Sequence, residues 1–140
     1  MGVASALVFA NLGASYGTAK AGVGISSLGV IDASKVFKAL IPIIMAGILG
    51  IYGIIVAVLL NGEVGKPDLT AKKGYQFLGA GLCCGLSSLA AGLAIGVAGD
   101  AGVRAYAQTD GIFVGMILIL IFAEAIGLYG LIVAIIMSQG

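Results

Sequence analysis

The chain has 140 residues, of which 61% are hydrophobic and 9% charged, with a formal net charge of +1. A mean hydropathy of +1.20 excludes an ordinary soluble globule, where about a quarter of residues are charged, and the lack of any basic cluster gives nucleic acid no footing. There is no His, which removes the usual transition-metal sites and His-based catalysis, so neither a metal nor a cofactor is expected.

Apolar runs long enough to cross a bilayer of about 30 Å as a helix recur four times. The first covers about Gly2 to Leu28 and is interrupted only by Asn11 and Lys20. It starts abruptly in apolar sequence, "MGVASALVFANLG", without the basic region of a signal peptide, and trimming at that end is the expectation. The second covers about Val36 to Leu60, the third runs from near Gly74 to about Ala107, and the fourth from about Gly111 to Met137. The links "GVIDASK", "NGEVGKPDLTAKKG" and "AQTDG" are short and carry turn residues. Helices joined so closely lie antiparallel and adjacent. The fold class that follows is an all-α membrane protein of four transmembrane helices, built as two duplicated antiparallel hairpins. Residues 1–61 form the first hairpin and 74–140 the second, within a single membrane domain.

The duplication is legible residue by residue. With "IPIIMAGILGIYGIIVAVLL" (Ile41–Leu60) above "LILIFAEAIGLYGLIVAIIM" (Leu118–Met137), Ile44, Ala46, Gly50, Tyr52, Gly53, Ile55, Val56 and Ala57 meet identical residues. Generic hydrophobicity does not place Gly, Tyr and Gly in register. Helices 1 and 3 carry matching rows of small residues seven apart: Ala10, Gly17 and Gly24 in one, Gly85, Gly92 and Gly99 in the other. A seven-residue period holds such residues on one helix face, where they let backbones approach closely in lipid. Gly17, Gly24, Gly85, Gly92 and Gly99 are therefore expected to pack helices 1 and 3 into a tight wall, with the bulkier helices 2 and 4 outside. The adjacent Cys83 and Cys84 point in different directions on a helix and are expected to be small packing residues rather than a disulfide or metal clip.

Glu124 stands near the centre of the fourth run, and the first copy has Gly47 in its place. Leu120, Ile121, Gly127 and Leu128 lie one turn away and none can neutralise it. An ionised carboxylate at the bilayer centre costs at least ~3 kcal/mol, so in lipid the protonated, neutral form is the cheaper one. Such an acid is a reversible proton carrier, and no Lys or Arg in the spans is placed to pair with it. Tyr52, at the matching depth on helix 2, and Tyr129, five residues along helix 4, are the candidate hydrogen-bond partners. Tyr52 is preferred because Tyr129 projects on a different side from Glu124. Sodium needs several oxygen ligands besides one carboxylate; helix 2 near Gly47 offers no Gln or Thr, and helix 3 offers Ser87 and Ser88 but no Gln or Asn, which favours a proton as cargo.

The segments "GMILILIFAEAIGLYGLIVAII", "GLAIGVAGDAGVRAYAQ", "YGTAKAGVGI" and "IPIIMAGILGIYG" resemble the proteolipid (c) subunit of vacuolar-type proton ATPases, over nearly the whole chain. The resemblance implies a rotor ring of several copies, with variant c-type subunits among them, in the membrane of a vacuole or another acidic compartment. It implies a stator a subunit whose arginine draws the proton off Glu124, and a central stalk linking the ring to the ATP-hydrolysing sector. Each Glu124 would then take up a cytosolic proton, carry it through lipid and release it to the lumen. The chain itself is a non-catalytic part of that enzyme, since Gly-rich runs such as "GLAIGVAGDAG" lack the Lys-Ser/Thr of a phosphate loop. The family has a further short segment leading into helix 1, so the resemblance implies trimming at the start of this sequence, and at its end after Gly140. Macrolide inhibitors of the family bind around the acid, which by resemblance involves Tyr129 and its apolar neighbours.

Charge does not choose the orientation: Lys20, Lys35, Lys38 and Arg104 mark one side, Lys66, Lys72 and Lys73 the other. The resemblance puts the 1–2 and 3–4 loops in the cytosol, with Asp100, Arg104 and Asp110 near the stalk. Solvated turns with local ion pairing are an equal reading of those three residues. Two rival functions stand beside the proton rotor: a sodium-translocating rotor, and a non-pumping structural or channel-forming tetraspan oligomer, which has no use for Glu124.

Overall fold

A computed structural model describes the whole chain, Met1–Gly140. Four helices account for nearly all of it: α1 (Gly2–Ile31), α2 (Ile41–Val64), α3 (Ala71–Gln108) and α4 (Ile112–Gln139). The α1–α2 link winds as two short 3-10 turns, Ala33–Lys35 and Lys38–Leu40.

The element ends have local causes. Pro42 has no N–H to give the carbonyl of Lys38 and is tolerated only in the first turn of a helix. Regular α2 therefore begins at Ile41, five residues later than the apolar run suggests, and the residues before it wind more tightly. The start of α3 is set by Thr70, whose side chain accepts a hydrogen bond from the backbone N–H of Lys73 at 3.3 Å. That cap draws the helix back to Ala71, ahead of the expected Gly74. Asp32 closes the end of α1, donating its N–H to Leu28 while its carboxylate accepts from the backbone and hydroxyl of Ser34.

Contacts between helices fix their directions. Gly13 and Gly92 meet, Gly2 meets Gly81, and Gly24 meets Asp100 and Val103, so α1 and α3 run parallel, side by side. Gly17 meets Ala46, and Gly53 meets Ala10 and Ala6, which sets α2 antiparallel to α1. Gly130 on Ser87 and Gly102 on Met116 do the same for α3 and α4. The seam between α1 and α3 is backbone on backbone. A methyl group added at Gly92 would fall on the peptide of Gly13, one at Gly85 on the carbonyl of Ser5, and one at Gly17 within 3.0 Å of the Gly92 carbonyl oxygen. Gly99 sits at the edge of this seam, where an added methyl would lie 2.9 Å from Pro42 of α2 and 3.4 Å from Ala21 of α1. In lipid, where helix association rests on close packing, such a seam is the strongest contact the sequence offers.

Three helical stretches are long and apolar enough to cross a membrane: Lys38–Val64, Ala71–Gln108 and Ile112–Gln139. The remaining helix, α1, is 30 residues long but diluted by Asn11, Lys20 and several Ser and Thr. Its parallel seam with α3 carries it across at the same depth. The buried side chains fall into two clusters. One gathers Leu28, Leu49, Ile95, Val103, Met116 and Leu120 toward the 1–2 and 3–4 loops. The other gathers Val56, Leu60, Phe77, Cys84 and Leu131 toward the far end. Tyr52 packs against both and so marks the waist of the bundle.

The seam makes a contrast testable. Gly92→Leu is expected to cost at least about 1–3 kcal/mol, the usual penalty of overpacking, whereas Gly22→Ala, with nothing within 4 Å of an added methyl, is expected to be neutral. Unfolding both variants in mixed micelles of increasing denaturing detergent measures the difference.

Candidate functional site: an unpartnered carboxyl at the bundle waist

Glu124 stands near the middle of α4, half-buried, one turn before Gly127. Gly127 is a seat for α2: Leu49 of α2 and Ala91 of α3 crowd onto it, and the ring of Tyr52 lies 3.6 Å from where its methyl would be. A side chain there would push α2 away from α4. Because Gly127 is bare, Leu49 and Tyr52 close over α4 just beside Glu124. Tyr52 is the one titratable side chain that lies against Glu124. No hydrogen bond of good geometry joins them, and both carboxylate oxygens are buried without a partner.

The other five acids behave differently. Asp100 is held by Lys20 at 3.5 Å across the α1–α3 seam and by Arg104 at 2.8 Å along its own helix. Asp110 pairs with Lys35 at 2.6 Å, and Lys35 also donates to the carbonyl of Tyr106 and sits over its ring. Glu63 pairs with Lys66 at 2.8 Å and Asp68 with Lys73 at 3.1 Å. Asp32 is held by Ser34. Those contacts have the expected electrostatic effect outside the membrane spans: the Asp110 carboxylate raises the Lys35 ammonium above its usual range, and Lys73 lowers Asp68. Glu124 alone among six acids has no partner within the chain.

The remaining predicted residues lie elsewhere in the bundle. Gly17, Gly24, Gly85, Gly92 and Gly99 all lie at helix–helix contacts. Tyr129 is 63% exposed on the side of α4 away from Tyr52, so the two tyrosines do not share the carboxyl. For Asp100, Arg104 and Asp110, local ion pairing is what the structure displays. Cys83 and Cys84 are free thiols; Cys84 is fully buried and its sulfur approaches the carbonyl of Tyr52 at 3.6 Å, supporting the backbone that carries the tyrosine. Leu49, Gly127 and Cys84 shape the site, a role that sequence reasoning does not assign them. A signal for Gly127 exists in the duplicated register Gly50–Gly127, but only the fold shows what sits on it. Ser88 is a second buried group whose hydroxyl has no partner.

Comparison with known proteins settles the family. The family model for the C subunit of ATP synthase matches the chain twice, over residues 1–60 and 78–137, once on each hairpin. The chain belongs to the ATP synthase C-subunit family. Within it, the close relatives are V-type proteolipids. The V-type proton ATPase 16 kDa proteolipid subunit of Chrysotila carterae is 61% identical over 144 residues, covering 99% of this chain and 88% of that protein. The 16 kDa proteolipid (c) subunit of the V-type proton ATPase from Nephrops norvegicus is 60% identical over 136 residues, covering 96% and 86%. The Homo sapiens one is 56% identical, covering 99% and 88%. The twofold match of the family model gives the internal duplication a second footing, independent of the alignment of the two Gly-Tyr-Gly segments.

An unpartnered carboxyl in apolar surroundings has a chemical signature. Dicyclohexylcarbodiimide, which partitions into lipid and reacts with a protonated carboxyl, is expected to add once per chain, at Glu124 and at none of the five ion-paired or hydrogen-bonded acids. Intact-mass and peptide mass spectrometry read the stoichiometry and the position, and Glu124→Gln is expected to abolish the adduct.

Proposed function

We propose that the chain is the proton-carrying subunit of a rotary ring in an ATP-driven proton pump of the vacuolar type, with Glu124 as the carrier. The observation that carries this is the contrast among the acids: five are paired or hydrogen-bonded and one, at the waist of the bundle, is left without a partner. A buried ionised carboxylate without a counter-charge is costly. The molecule avoids that cost while Glu124 holds a proton, and has to find a counter-charge elsewhere when it does not. The relatives' names, which place them in V-type proton ATPases as proteolipids, support the same reading.

In this reading several copies, with variant c-type subunits among them, form a ring in the membrane of a vacuole or another acidic compartment. The counter-charge is an arginine on the stator a subunit, met once per turn between two aqueous half-channels. Rotation is driven through a central stalk by ATP hydrolysis on other subunits. A loaded Glu124 then crosses lipid as a neutral group, and its proton is released to the lumen. Each proton moved stores about 1.4 kcal/mol per pH unit and about 2.3 kcal/mol per 100 mV. Tyr52 is the hydroxyl that serves Glu124 during this cycle, while Gly17, Gly24, Gly85, Gly92 and Gly99 hold the inner wall.

Glu124→Gln keeps the shape and removes the exchangeable proton. Rings are expected to assemble normally in reconstituted pump vesicles, with ATP-driven acidification lost; acidification that survives would exclude Glu124 as the carrier. Tyr52→Phe is expected to slow pumping by about two- to tenfold, the worth of one hydrogen bond of about 0.5–1.5 kcal/mol, with ring yield unchanged. Protection of Glu124 from carbodiimide by sodium at fixed pH would turn the reading toward a sodium rotor.

A further inference from the structure

The end of the bundle that carries the α1–α2 and α3–α4 turns holds four cations, and three of them are engaged. Lys20 and Arg104 hold Asp100. Lys35 holds Asp110, donates to the Tyr106 carbonyl at 3.0 Å and lies 4.9 Å from the centre of the Tyr106 ring. Lys38, three residues further on, pairs with no carboxylate of the chain. Between the two turns opens a cavity of about 350 Å³, lined by Ser34, Lys35, Lys38, Tyr106, Asp110 and Phe113. That is the low end of small-molecule pockets, ~300–1,000 Å³, and has room for a small polar group.

The lining is two-sided in charge. Lys35 takes one oxygen of Asp110 at 2.6 Å, but the Asp110 side chain is 80% exposed, so its second oxygen is free to accept. Ser34 gives its hydroxyl proton to Asp32 and can only accept here. Lys38 is the ammonium left free to donate. A simple anion on Lys38 would face the Asp110 carboxylate, and a simple cation on Asp110 would face two lysines. A group that carries both a phosphate and an ammonium satisfies both sides. The depth narrows the source. Phe113 stands eleven residues before Glu124 on one continuous helix, roughly 16 Å along the axis, which is about half the ~30 Å hydrocarbon thickness. Lys38 opens the apolar stretch Lys38–Val64. The cavity therefore lies at headgroup level. Beside it in sequence, Phe37 is 85% and Val114 67% exposed, apolar surface for the chains of a lipid.

We propose that the cavity between the two turns seats the headgroup of a primary-amine phospholipid, its phosphate on Lys38 and its ammonium on the free oxygen of Asp110. The Lys35–Asp110 pair then serves as the floor of the site, fixed against the stacked Tyr106 and Phe113, whose ring centres are 5.1 Å apart. Such a lipid ties the α1–α2 turn to the α3–α4 turn and travels with the chain. The site selects by chemistry: a glycerol headgroup has no ammonium for Asp110, and a choline headgroup has no N–H to donate.

The test offers dioleoyl phosphatidylethanolamine, phosphatidylglycerol and phosphatidylcholine in turn to the delipidated full-length protein, with native mass spectrometry counting the retained lipids. The ethanolamine lipid is expected to be held about tenfold more tightly than the other two, roughly the worth of one charge-assisted hydrogen bond. Lys38→Gln, at an exposed position, is expected to weaken it by a similar factor while leaving the protein folded. Asp110→Asn is the second variant and is expected to erase the preference for the amine over glycerol and choline. Equal retention of the three lipids, or a Lys38→Gln protein that holds them as the parent does, overturns the site. Soluble glycerophosphoethanolamine is the control for source: it is expected to compete poorly, and displacement of the lipid at equal concentration overturns the assignment to a membrane lipid.

Discussion

The backbones of α1 and α3 touch, and the rest of the bundle is arranged around that contact. Glycines at positions 13, 17, 85 and 92 remove the side chains that would hold the two helices apart. Because the two helices run parallel in one seam, the two hairpins are bound to each other rather than merely joined by a loop. The outer helices then have no freedom in depth: α2 follows α1 antiparallel, α4 follows α3, and Tyr52 comes to rest beside Glu124. A displaced seam would move that carboxyl relative to every group that has to reach it.

The treatment of charge follows from the same arrangement. Ion pairs such as Lys20–Asp100 and Lys35–Asp110 link helices or loops that are distant in sequence, and they require α1, α3 and the connecting turns to be in place. Each of these pairs keeps one exposed partner, Lys20 or Asp110, and exposed charges contribute little stability individually. Their effect is to leave the chain with one carboxyl whose neighbours are hydrocarbon and a tyrosine. Glu124 is thus singled out by the satisfaction of all the other acids as much as by its own position.

Much of this is legible in the sequence, for particular reasons. The four apolar runs, the Gly-Tyr-Gly register and the lone acid are properties of composition and spacing, and these survive without coordinates. Hydropathy misplaces the start of α2 because it does not register that Pro42 has no N–H to give. It misplaces the start of α3 because Thr70 reaches over the charged Lys72 and Lys73 to cap a helix that the apolar run alone would begin later. The pairing of Asp100 with Lys20 needs two helices brought together over a long stretch of chain, and no local pattern carries that information. The placement of Tyr129 away from Glu124 follows from helical geometry alone, whereas the seating of Tyr52 over Gly127 depends on the packing of α2 against α4.

The length of α3 has a mechanical side. Its 38 residues span about 57 Å at the α-helical rise, against a hydrocarbon layer of about 30 Å. The surplus extends past the lipid as continuous helix without a proline to bend it. A stiff lever of this kind, clamped along its length by α1, transmits a sideways push at its projecting end to the whole bundle. Torque applied outside the membrane would therefore reach the carboxyl's depth with little lost to bending along the way.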